Sequence, residues 1–121
     1  MKDAKNWLTA LGKTIDAKDA KGFSEYITED GSFRFGNQPE VKGRKAIEDY
    51  VAAFFGMIKA SEHSIVNFWD TGDHIIWEAM VTYTRKDDKK VTVPFTNIFD
   101  MKGDLVKNYK IYIDNSPLFA E

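Results

Sequence analysis

Residues Val91–Asp114 read VTVPFTNIFDMKGDLVKNYKIYID, and their alternation decides the fold. Val91, Val93, Phe95, Asn97 and Phe99 fall on one face of a first strand, and Tyr109, Ile111 and Ile113 on the matching face of a second. A period of two with apolar residues on one side marks a half-buried antiparallel pair. Lys102-Gly103-Asp104 supplies the turn between the strands. Asn97 is the exception, one amide in an apolar row. A buried amide without a partner costs roughly 1–3 kcal/mol, so a ligand, a water or a neighbour such as Tyr109 or Asn67 is expected to bond to it.

Working outward, the same period covers Ser61–Asp70 and His74–Thr84, with Asp70-Thr71-Gly72-Asp73 turning the chain between them. As a simple hairpin this sets Trp69 opposite Ile75, Asn67 opposite Trp77 and Ile65 opposite Ala79. One face then carries His63, Ile65, Asn67, Trp69, Ile75, Trp77, Ala79, Val81 and Tyr83. The other carries Val66, Phe68, Ile76, Glu78 and Met80. A sheet apolar on both sides needs two covers. Helices supply one, and a second copy of the chain is the expected other, giving a homodimer through the sheet. The mixed run Lys86-Asp87-Asp88-Lys89-Lys90 reads as a solvated hairpin tip.

Before Ser61 the period is helical. Ala4, Trp7, Leu8, Leu11 and Ile15 make one stripe of a helix over Asp3–Ile15, with Asp3 as its cap. Asp16-Ala17-Lys18-Asp19 breaks it, and Asp19 caps a short second helix to Ile27, in which Gly22 costs about 1 kcal/mol of helix propensity. Glu29-Asp30-Gly31 reads as a turn and Ser32–Phe35 as a short strand. Ile47, Tyr50, Val51, Phe54, Phe55 and Ile58 form the stripe of a third helix over Arg44–Met57. The apolar residues of Ser116–Phe119 suggest a tail that folds back over the body.

A chain of 121 residues is one domain, 1–121, long enough to bury its own core. Hydrophobic residues make up 43% and aromatic residues 14%, which sets it among globular proteins. A net charge of −2 leaves no electrostatic footprint for nucleic acid. The absence of cysteine excludes disulfides and thiol chemistry. No apolar leader and no run of ~18 apolar residues is present, so the expectation is a cytoplasmic protein that is not a membrane partner. No metal, nucleotide or serine-triad motif is recognisable, and no cofactor is expected.

The order of helix, helix, strand, helix and four long strands is an α+β layout. Three segments together resemble the SnoaL-like branch of the nuclear transport factor 2-like superfamily. They are the helix ending in Asp16-Ala17-Lys18-Asp19 with Phe23 and Thr28-Glu29-Asp30-Gly31-Ser32-Phe33 after it, the Lys42-Gly43-Arg44-Lys45-Ala46-Ile47 lead into the third helix, and the opening hairpin with Val93-Pro94 and Tyr112-Ile113-Asp114. The resemblance implies a cone-shaped, cystatin-like α+β fold: a curved antiparallel sheet wrapped around three N-terminal helices, with an internal pocket. It also implies where chemistry would sit. Ketosteroid isomerases in this superfamily keep a base aspartate where this chain has Phe35, an oxyanion tyrosine near Leu11, and a protonated aspartic acid near Asn97. Epoxide hydrolases keep a carboxylate where this chain has Ile111, and an Arg and Asp at Ala79 and Val81. Both acid/base sets are therefore replaced.

His63 is the candidate catalytic group, since it shares the pocket face and is one of two histidines. No carboxylate can be placed beside it from sequence, so a hydrogen-bonded or solvated rim histidine is its other reading. Trp7, Phe35, Phe54, Trp77, Asn97 and Tyr109 are the candidate ligand-binding residues, although core packing accounts for the aromatic ones as well. The first reading is a pocket protein for a hydrophobic or weakly polar small molecule. The second is an isomerase, dehydratase or cyclase for a steroid- or polyketide-like substrate, with His63 as base. The third is an interaction module that uses the outer sheet face.

Overall fold

The computed structural model describes residues 3–120. Helices α1 (Ala4–Asp16) and α2 (Ala20–Ser24) lead into strand β1 (Ile27–Phe35) and the two-residue β2 (Val41–Lys42). Helix α3 (Arg44–Phe55) follows, then β3 (Ala60–His63), β4 (Asn67–Asp70), β5 (His74–Thr84), β6 (Lys90–Lys102), β7 (Leu105–Ile113) and a C-terminal turn of helix α4 (Ser116–Phe119). Asp3 and Asp19 cap their helices as expected, accepting from the backbone N–H of Asn6 at 3.1 Å and of Gly22 at 2.9 Å.

The fold is α+β, with the helices against an open curved sheet of order β2-β1-β7-β6-β5-β3 and β4 also paired to β5. The opening hairpin is β6–β7, and its register sets Phe95 opposite Ile113, Asn97 opposite Ile111 and Phe99 opposite Tyr109. Its inner row is buried as the alternation requires. Phe99 and Tyr109 are sealed beneath α1 and α2, Trp7 meeting Phe99 edge-on and Phe23 lying 5.2 Å from Tyr109.

Three expectations change. The sheet is antiparallel except at one seam, where β1 runs parallel to β7. The second helix stops at Ser24, because Ile27 is taken into the sheet opposite Val106 and the carbonyl of Tyr26 accepts from the Val106 N–H at 2.8 Å. Glu29-Asp30-Gly31 is then no turn but an irregularity inside β1, between the Ile27–Val106 and Ser32–Asn108 pairs. A Cβ on Gly31 would lie 2.5 Å from Ile27 Cγ2 and 3.1 Å from the Lys107 carbonyl, so the close approach there requires glycine.

The third change is a slip. His63 pairs with Val81 as the simple hairpin requires, but Asn67 pairs with Glu78 and Trp69 with Ile76, one residue out of the expected register. Four steps from His63 to Asn67 span three steps on β5, which is a bulge. Ser64 anchors it: its N–H donates to the Met80 carbonyl at 3.0 Å, and its carbonyl accepts from the Trp77 indole at 3.2 Å. A one-residue slip moves a strand's side chains to the opposite face. Asn67 and Trp69 therefore face outward, and Phe68, opposite Trp77, packs toward the core.

The tail does fold back. Leu118 is buried, and the Arg85 guanidinium donates to the carbonyls of Pro117, at 3.4 Å, and Ala120. No helix among the described residues is long and apolar enough to cross a membrane.

Candidate functional site

The inner face of the sheet is built in rows. Trp77, Asn97, Ile111 and Phe35 form one row across β5, β6, β7 and β1, and Ile75, Phe99, Tyr109 and Phe33 form the next. Helix α3 lays Val51, Phe54 and Phe55 over these rows. Between them lies a cavity with ≈ 50 Å³ of room for water-sized molecules, more than the roughly 10–15 Å³ that one water needs. Its walls are mostly rings. Phe35 and Phe54 meet at 4.9 Å, and Phe54 stands 5.9 Å from Tyr83.

His63 reaches this cavity from the end of β3, and it is not alone. The last residue of α1, Asp16, accepts from His63 Nδ1 at 2.5 Å and from the His63 backbone N–H at 2.9 Å. Ser61, two residues earlier and so on the same face of β3, donates to Asp16 Oδ1 at 2.9 Å. Burial pulls the Asp16 carboxyl upward, but the hydrogen bonds from His63 and Ser61 outweigh it and hold the group below the usual carboxylate range. An ionised Asp16 can only accept, so Nδ1 carries a proton, and in a neutral ring the free lone pair is then that of Nε2. Among the described residues Nε2 has no protein partner and is not a sealed atom. The ring is steadied by Phe95 at 5.5 Å and Trp77 at 6.0 Å.

Asn97 is 2% exposed, and its Oδ1 has no hydrogen-bond partner among the described residues. Neither Tyr109 nor Asn67 satisfies it; the slip in β4 has taken Asn67 to the other face. Tyr109 and Tyr83 also line the cavity. Burial, joined by the neighbouring Tyr83, pushes the Tyr109 phenol up; burial, joined by the charge of Asp16, does the same to Tyr83. Both phenols therefore stay protonated and able to donate. Among the described lining residues there is no Lys, Arg, Asp or Glu, so the cavity suits an uncharged molecule.

Five of the seven residues singled out from sequence, His63, Phe35, Phe54, Asn97 and Tyr109, meet at this cavity. Trp7 and Trp77 do not line it. Trp7 packs edge-on against Tyr26 and Phe99, and Trp77 borders a separate cleft on the far side of His63. Sequence reasoning missed Asp16, Ser61 and Tyr83. Asp16 read as a helix breaker, 47 residues from His63, and nothing local ties the two together. Phe35 and Ile111 line the cavity as apolar walls. No group of three or more His, Cys, Asp or Glu side chains among the described residues could hold a metal.

A family model described as the SnoaL-like domain matches residues 5–109. No curated protein matches the chain. Among solved structures, a hypothetical protein of ketosteroid isomerase-like fold from Catenulispora acidiphila, in complex with trimethylamine, is 19% identical with a TM-score of 0.85, over 94% of this chain and 89% of that one. A nuclear transport factor 2-like protein of unknown function from Burkholderia pseudomallei has the same TM-score of 0.85 at 10% identity, over 98% and 96%. An LEH-like epoxide hydrolase from M. tuberculosis has a TM-score of 0.78 at 13% identity, over 97% and 86%. At these identities the likeness is one of fold.

Proposed function

This chain belongs to the SnoaL-like domain family, and from that premise we propose that it is a proton-transfer enzyme acting on an uncharged, weakly polar small molecule, in the class of isomerases, dehydratases or cyclases. One observation carries the reading: His63, which lines the cavity, is held by Asp16 through Nδ1 at 2.5 Å, while Nε2 has no protein partner among the described residues. This is the arrangement of a general base whose tautomer and orientation are set by a carboxylate. His63 Nε2 would take a proton from the bound molecule. Asp16 would stay ionised and stabilise the imidazolium. Asn97 and the protonated phenols of Tyr109 and Tyr83 would hold a carbonyl or hydroxyl oxygen. The charge-free lining selects against carboxylates and phosphates, and a small neutral carbonyl compound fits that chemistry and the ≈ 50 Å³ of room.

The test is turnover of a panel of such neutral ketones and hydroxyketones by the wild type, His63→Ala and Asp16→Asn. Loss of activity in both variants with retained ligand binding supports the proposal. Tight binding with no turnover by the wild type would leave the protein a binder, the reading in which Phe35 and Ile111 mark a discarded active site.

The outer sheet face motivates a second element of the proposal, a homodimer. Trp69 is 47% exposed and Tyr112 57%, with Met80 and Val66 also open. Trp69, Ile76 and Ile98 lie in one cross-strand row of that face. A second copy would cover these residues and leave no free surface for a different protein. Sedimentation at micromolar concentration should show a dimer that Tyr112→Lys dissociates; a monomeric wild type ends this part. A cytoplasmic location belongs to the same proposal, supported by the cysteine-free sequence, and cell fractionation tests it.

A further inference from the structure

The outer face of the sheet carries a cross-strand row with unlike ends. It runs Trp69, Ile76, Ile98, Lys110 and Arg34 across β4, β5, β6, β7 and β1. An indole stands at one end, two isoleucines follow, and two cations stand at the other end. Ile98 is the midpoint, with two strands on either side. The cationic end opens into a groove of ≈ 640 Å³ bordered by Ser32, Arg34, Asn37, Glu40, Lys110 and Tyr112. Arg34 donates from Nε to the Gln38 carbonyl at 3.2 Å and has no carboxylate partner among the described residues. The neighbouring row, Glu78, Thr96 and Tyr112 across β5, β6 and β7, is unlike at its ends too, with a carboxylate on one side of β6 and an exposed phenol on the other.

Two copies that pack such a face on itself about a two-fold axis turn each row end for end. An axis along β6 sets Ile98 against the partner's Ile98. Trp69 then meets the partner's Arg34, Ile76 meets the stem of the partner's Lys110, and Glu78 meets the partner's Tyr112. Each meeting suits its chemistry. A guanidinium stacks on an indole face, an aliphatic stem covers an isoleucine, and a phenol donates to a carboxylate. Asp100 falls near the axis one row away, but its charge is met within its own chain by His74 at 3.1 Å, Lys110 at 3.5 Å and the Asn108 amide at 2.7 Å. An axis along β7 would set Lys110 against the partner's Lys110, and one along β5 would leave the groove unfilled.

Resting on the homodimer reading, we propose that the groove between β1 and β7 is the seat for Trp69 of a second copy of this chain, with the two-fold axis running along β6 past Ile98. The indole of each copy lies on the partner's Arg34, and the interface is closed by the two such contacts at its ends and the isoleucines at its centre. The register of the dimer is thereby fixed by residues that face each other only across the axis. The slip in β4 has a use in this arrangement, since it is what turns Trp69 to the outer face.

Sedimentation of a complementary pair of variants tests the register. Both positions are exposed on the outer face, so the core is spared. Trp69→Lys sets cation against cation, and Arg34→Glu sets a carboxylate on an indole face, each twice per dimer. Either variant alone is expected to dimerise about tenfold more weakly than the wild type, or worse. Mixed in equal amounts, the two are expected to recover a heterodimer, because the new lysine then faces the new glutamate while one native contact of Trp69 with Arg34 is kept. Ile98→Cys gives a second readout in a chain without native cysteine: a bismaleimide of about 10 Å reach, the spacing of packed sheets, is expected to join two copies. A dimeric wild type whose variant pair does not recover, or whose Ile98→Cys form does not cross-link, overturns this register and leaves the dimer standing. A monomeric wild type overturns both and leaves the face to a different protein.

Discussion

Two walls of one cavity do different work. The sheet wall of Phe35, Asn97 and Ile111 is aromatic or aliphatic except for one amide. The seam between α1 and β3 carries Asp16, Ser61 and His63. In the proposed function the seam supplies the proton chemistry, while the sheet wall supplies shape and stability. A fold that leaves a lined cone can therefore host a base on either wall, and the residues on one wall do not decide the other.

That contrast predicts where substitutions are felt. The largest effect is expected for His63→Ala: turnover falls by ~10²–10⁴-fold, the usual contribution of a positioned base, while the urea midpoint moves little. A large loss of stability with unchanged turnover would reverse the roles of the two walls. Phe35→Ala should show the opposite pattern. It removes a buried ring packed on Phe33 and Phe54 and should cost about 3–5 kcal/mol of stability, with NMR signals of the histidine pair retained.

Asn97→Leu is a subtler probe of the sheet wall. Its Oδ1 is buried without a partner among the described residues, and replacing an unsatisfied polar group by an apolar one of similar size is neutral or favourable. The variant should be as stable as the wild type or more so, by about 1 kcal/mol, and should bind ligand more weakly. Lost stability would show that the amide has a structural partner.

The smallest effect is a pH dependence at the seam. The folded Asp16 carboxyl lies below its ordinary value of 3.8, so its hydrogen bonds add stability that is fully present above that value. This stability is lost as the pH falls through the lower folded value. Asp16→Asn should flatten that acid limb below about pH 4. An acid limb unchanged by the substitution would mean that Ser61 and His63 do not hold the carboxylate ionised in solution.

Much of the fold was legible for a local reason. Side chains alternate along every strand, so the inner row from Val91 to Phe99 and its partner from Tyr109 to Ile113 could be read from residues two apart. The helical stripes of α1 and α3 follow from spacing in the same way. Legibility stopped where pairing between distant segments competes with local preference. Glu29-Asp30-Gly31 has the composition of a turn, but the pairing of Ile27 with Val106 draws it into β1. Ser64-Ile65-Val66 continues an alternating strand in sequence, but the hydrogen bonds of Ser64 to β5 introduce a bulge.

By itself the sequence determined the α+β layout, the inner row of the hairpin, His63 as the titratable group on the pocket side, and the unusual amide of Asn97. These rest on residue type and short-range period. Only the tertiary structure decided that Asp16 meets His63, that Trp69 and Asn67 leave the pocket face, and that Trp7 stays out of the cavity. Each depends on the end of a helix or the register of a strand being set by contacts tens of residues away. A hydrogen bond of 2.5 Å between residues 47 apart leaves no trace in local composition.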